Sequence, residues 1–141
     1  MNIENQVLSI NQVQELQELG FDVKKHSSIE YAPVYDNEFK IVRHYLRVRG
    51  TGGSTLVIHP NKEEDVYIPT MSIGDIIEVL PEKIKTYSAN ADEEINFYPR
   101  INNTGIIYIT TMIDDCIFCS IEGKLINNLF NCLVWCIKNL K

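Results

Sequence analysis

The stretch Gly123 to Lys141, GKLINNLFNCLVWCIKNLK, constrains the fold more than any other part of the chain. On a helix turning about 100° per residue, Leu125, Ile126, Leu129, Phe130, Cys132, Leu133, Cys136, Ile137 and Leu140 fall in one arc of roughly 160°. Asn127, Asn131, Lys138 and Asn139 fall opposite. A surface helix needs an apolar stripe of only about 100°, so this one is expected to pack deeply across a sheet. Trp135 breaks the pattern, falling on the polar side between Asn128 and Asn131. It is therefore expected either to be covered by another segment, with the irregular stretch 22–37 as the candidate, or to enter a contact with a partner.

The remainder of the chain supplies such a sheet and two further helices. Ser9 with Gln12 three residues on is a capping box. Leu8 and Val13 are placed for a hydrophobic staple, and Gly20 with Phe21 is suited to close the helix, which predicts a helix over 10–19. Ser72 and Asp75 repeat the N-terminal signal. Ile73, Ile76, Ile77 and Leu80 then recur at helical spacing until Pro81 stops them. Phe39 to Arg49 alternates as a strand, with Val42, His44, Leu46 and Val48 on one face and Ile41, Arg43, Tyr45, Arg47 and Arg49 on the other. With 54–59 and 65–68 it predicts an antiparallel meander. Within 22–37, Ile29, Tyr31 and Val34 allow a short strand that Pro33 confines to an edge. Residues 94–101 and 105–112 read as a strand pair turning at Asn102-Asn103, and 116–121 as one more strand. The expectation is a single α+β domain over 1–141, an antiparallel sheet with three helices on one face, the C-terminal helix lying across it.

No segment announces a reaction. Cys116 and Cys119 form C-x-x-C, and Cys132 and Cys136 stand one helical turn apart, so four thiolates are available in number for a tetrahedral zinc site. The bulky Ile117 and Phe118 inside the first pair, and the buried arc holding the second, favour core packing instead. Strand alternation also sends Cys116 and Cys119 to opposite faces. Gly50 to Ser54 lacks the Lys-Ser/Thr ending and following helix of a phosphate loop and reads as a hairpin turn. His44 and His59 would approach one another on adjacent strands, without a carboxylate spaced to complete a metal site. Asp92-Glu93-Glu94 and Asp114-Asp115 read as solvated turns. Neither a cofactor nor a catalytic residue is expected.

Arg43, Tyr45, Arg47 and Arg49 make the one arresting surface feature, because alternate strand positions project together. Three guanidiniums around a ring suit phosphates and bases. The simpler account is a solvated sheet face balanced by cross-strand carboxylates such as Glu63, Glu64 and Asp65. A net charge of −6 disfavours general nucleic-acid binding and leaves room for a protein partner. The N-terminus lacks the basic and apolar regions of a signal peptide, and no apolar run approaches the ~20 residues of a membrane span. Together with four cysteines this leads to an expected cytoplasmic location without membrane contact.

Three segments, LSINQVQELQELGF at 8–21, SIGDIIEVLPEKI at 72–84 and LINNLFNCLVWCIKN at 125–139, resemble small uncharacterised proteins encoded by phages and other mobile elements of gut Bacteroidetes. The resemblance implies an opening helix, a helix ending in Leu-Pro before a strand, and a closing helix with Trp-Cys near its end. It implies a host-associated accessory protein and brings no active site. The expectation is thus a non-enzymatic protein working by protein–protein contact, with Trp135 as a candidate contact residue. A nucleic-acid module built on Arg43, Tyr45, Arg47 and Arg49 is the alternative, and an enzyme of unrecognised type the third.

Overall fold

The computed structural model describes residues 6–49, 67–87, 93–110 and 115–140. The first helix, α1 (Ile10–Glu18), begins where the capping box predicts, with Ser9 Oγ accepting from the Gln12 amide and Gln12 Oε1 accepting from the Ser9 amide. It ends at Gly20, whose φ of 85° is costly for any residue with a Cβ. There the amides of Gly20 and Phe21 donate to the carbonyls of Gln17 and Leu16, which satisfies acceptors in the last turn of the helix. A short helix that periodicity does not reveal, α2 (Val23–His26), follows at once, capped by Asp22.

Strands β1 (Ile29–Tyr35), β2 (Ile41–Val48) and β3 (Ile68–Thr70) form a three-stranded antiparallel sheet in the order β2-β1-β3. Among the described residues the stretch containing Pro33 is therefore the central strand, not an edge, and β3 pairs with β1. The proline is tolerated because β3 covers only Ile29 to Tyr31. Pro33 lies past its end, so the missing amide hydrogen forfeits no bond to β3. The expected strand at 54–59 and the turn at 50–54 lie outside the described residues. Tyr31 Oη and Thr70 Oγ1 both donate to the Leu8 carbonyl at 2.8 Å, and the Leu8 amide donates to Met71, which fastens the segment before α1 to this sheet.

Helix α3 (Ile73–Val79) has Ser72 as its cap and stops before Pro81. Then β4 (Ile84–Tyr87), β5 (Glu94–Ile101), β6 (Ile106–Ile109) and β7 (Cys116–Ser120) make a second antiparallel sheet in sequence order. The β5–β6 turn is held by Asn102, whose Oδ1 accepts from the amides of Thr104 and Gly105. Helix α4 (Leu125–Asn139) lies against β6 and β7 and also packs on α3.

The architecture is thus α+β with two antiparallel sheets and four helices among the described residues, where one sheet and three helices were expected. One core cluster joins Leu8, Val13, Leu16 and Val23 to Met71, Ile76, Phe97, Ile106, Tyr108 and the α4 residues Ile126, Leu129, Phe130, Cys132, Leu133 and Cys136. Burying a side chain such as Leu129 completely is worth roughly 1.5–3 kcal/mol, and α4 contributes more of them than any other element. Its apolar arc lies where the sequence places it, except that Leu140 at the helix end stays 37% exposed.

Candidate functional site

The basic stripe is on the β2 face that lies away from the Leu8 anchor, and most of it is committed to internal partners. Glu30, directly opposite Arg47 in the β1–β2 register, accepts from Arg47 Nε at 2.9 Å and is only 8% exposed. The Arg47 guanidinium also lies over the Tyr67 ring, 4.6 Å from its centre. Arg49 turns toward α2, where Nη1 donates to the Lys24 carbonyl at 2.6 Å and to Ser27 Oγ at 2.7 Å. It satisfies carbonyls that the end of a helix leaves open. Arg43 and Tyr45 are exposed. The nucleic-acid reading therefore keeps one uncommitted guanidinium of three, and the neutralising carboxylate is Glu30; Glu63, Glu64, Asp65 and His59 lie outside the described residues.

The four cysteines separate into two pairs. Cys132 and Cys136 are buried on α4, and Cys116 and Cys119 are exposed on β7. The hydrogen bond between the buried thiols, together with burial, pushes the Cys132 thiol well above its ordinary value, as expected of core packing. Among the described residues no group of three or more His, Cys, Asp or Glu is gathered to hold a metal ion. On β7 the structure corrects a sequence inference. A bulge interrupts the β6–β7 register, so that Tyr108 pairs with Phe118 but Ile109 pairs with Cys116. Cys119 faces Ile107, and Ile107 and Ile109 share a face, so the extra residue brings Cys116 and Cys119 to the same side of the sheet.

Trp135 is half-buried and packs on β7. Its ring stands 5.4 Å from that of Phe118 at 42°. The same flank of α4 carries Asn128, 2% exposed, which accepts from Ser120 Oγ at 2.7 Å and donates to the Thr104 carbonyl. Asn131 Nδ2 reaches the same Ser120 Oγ. The polar interruption of the helical arc is thus an interface with β7, built from satisfied amides and one aromatic pair.

Clefts open on the described surface. One, of about 550 Å³, lies between α2 and α3 and is lined by Lys25, His26, Ser28, Asp75 and Glu78 among others. Its arrangement is structural. Asp75 Oδ2 accepts from the Ser28 amide and hydroxyl and from the Ser72 amide at 2.7–3.0 Å. Burial pushes the Asp75 carboxyl up, but these bonds outweigh it and hold the group below its ordinary value. Such a carboxylate is a poor base for activating Ser28, while His26 stacks on Phe21 at 5.3 Å. The second cleft, of about 470 Å³, is lined by Cys119, Ser120, Ile121, Glu122, Asn128 and Asn131.

The surface that sequence reasoning missed is the face of the second sheet turned away from α4. Cross-strand pairing puts Tyr98, Ile109 and Cys116 in one row and Arg100, Ile107 and Cys119 in the next. Ile106, Tyr108, Phe97 and Phe118 point the other way, into or against the core; Ile107 and Ile109 do not. Tyr98 is 47% and Tyr87 69% exposed on this outer face. The signal was present in the run Ile106 to Ile109, apolar at every position. An antiparallel strand with one wet face alternates, and a run without alternation marks a second face that is meant to be covered.

No family model, curated protein or solved structure matches the chain. Among the described residues no helix is long and apolar enough to cross a membrane.

Proposed function

We propose that this chain is a non-enzymatic accessory protein acting by protein–protein contact, with the outer face of the β4–β7 sheet as its contact surface. The observation that carries the reading is the pair Ile107 and Ile109, apolar residues on a sheet face that does not join the core, bordered by exposed Tyr98. Contact surfaces are built on such clusters, which combine apolar and aromatic side chains with polar groups such as Arg100 around them. The resemblance of the helical segments to phage and mobile-element proteins supports an accessory role. Four unpaired cysteines support a reducing compartment, the cytoplasm. The test is a photo-crosslinking amino acid placed at Tyr98 or, for comparison, at Tyr45 on the other sheet. A discrete protein adduct from position 98 and none from 45 is expected in the producing cells. Adducts from position 45 alone, or with nucleic acid, would sink the reading.

A further inference from the structure

We infer that the free edge of β7 is a docking site for an extended peptide segment carrying a basic side chain, added as a fifth strand beside the second cleft. The inference rests on the reading of the chain as a protein-contact module and names the chemistry of the partner.

Strand β7 ends its sheet, with β6 on one side and, among the described residues, no strand on the other. Edge strands are ordinarily defended by charge. The opposite edge, β4, carries Lys85 in an ion pair with Glu94, and β2 carries Arg43 and Arg47. The sequence of β7, Cys-Ile-Phe-Cys-Ser, has no charge and no proline. Its bulge disturbs only the first half, leaving Phe118 to Ser120 in regular register. That half adjoins the cleft. Cys119 and Ser120 point to opposite faces of the sheet yet both line it, so the cleft runs along the strand's edge, with Asn128 and Asn131 of α4 as its far wall. A strand edge beside a helix offers main-chain hydrogen bonds for affinity and a cleft for one side chain.

Charge selects the occupant. Among the described residues Glu122 is the one charged residue lining the cleft, Asp115 stands at the other end of the strand, and the chain carries a net −6. A second copy pairing antiparallel would bring Asp115 and Glu122 of one chain toward Glu122 and Asp115 of the other. A lysine or arginine on a partner segment meets Glu122, and the amide groups of Asn128 and Asn131 line its path.

Random decapeptides displayed on their encoding RNA and selected on the immobilised full-length chain provide the test. The expected winners alternate apolar residues and carry Lys or Arg at a fixed position. N-methylating alternate amides of a winning peptide should weaken it about tenfold or more, since each lost main-chain hydrogen bond is worth about 1 kcal/mol. Glu122→Gln should weaken it up to about fivefold, the range of an exposed ion pair. Tyr98→Glu should leave it unchanged. Absence of a basic consensus, binding that survives N-methylation, or self-association abolished by Cys119→Lys would each overturn the inference. Loss of binding in Tyr98→Glu but not in Glu122→Gln would overturn it while leaving the outer-face reading intact. Peptide binding at β7 without any adduct at position 98 would do the reverse.

Discussion

Asp75 belongs to two structures at once, the N-terminal cap of α3 and the start of β1 through Ser28. Replacing it with Asn keeps an acceptor but removes the charge, and should cost about 1 kcal/mol at neutral pH in urea denaturation. The folded carboxyl lies below its ordinary value, so its contribution is complete above the unfolded value of about 3.9 and is lost as pH falls through the folded one. The stability gap between Asp75→Asn and the parent should thus hold steady down to about pH 5 and narrow below about pH 4. Two glycines make an equally local contrast. A Cβ at Gly105 would meet the Ser120 carbonyl oxygen and the Ile121 Cα, backbone atoms that cannot swing aside. At Gly74 on α3 the nearest atom is Ser72 Oγ at 3.8 Å. Gly105→Ala should therefore destabilise by roughly 2 kcal/mol or more, and Gly74→Ala should stabilise by up to about 0.5 kcal/mol. Thermal melting of the two variants checks both signs.

At the scale of elements, what could be read in the sequence was what is local. Capping boxes at Ser9 and Ser72 mark helix starts because donor and acceptor lie three residues apart. The α4 arc was legible for the same reason. Pairings that join distant segments were not. Nothing near Arg47 reveals that its partner is Glu30, since only the β1–β2 register brings them together. The β7 bulge was equally hidden, because one extra residue reverses the face of Cys116 without changing composition. Trp135 shows both sides of this. Its departure from the arc was visible, but its reason, the Phe118 ring, lies on another element. Trp135→Ala should cost about 2 kcal/mol in chemical denaturation, below the range for fully buried aromatics because Trp135 is only half-buried, and leave the oligomeric state unchanged. Unaltered stability with an altered oligomeric state would return Trp135 to the contact residues, and no change in either would remove it from both roles.

For the whole molecule, the α+β class followed from the order of helices and strands, while the division into two sheets did not. Among the described strands, that division depends on β3 pairing with β1 and not with β2 or β4, which is a matter of tertiary competition. The candidate surface was legible only as the unbroken apolar run at Ile106 to Ile109. The central claim is that α4 covers the inner face of the second sheet at β6 and β7 and leaves the outer face open for a partner. The cysteines report on both faces. Titration of the native chain with a thiol-reactive disulfide should modify two of the four thiols promptly, mapped by peptide analysis to Cys116 and Cys119, and all four after denaturation. Prompt reaction of Cys132 or Cys136, or protection of Cys116 and Cys119 in the isolated native chain, would contradict it.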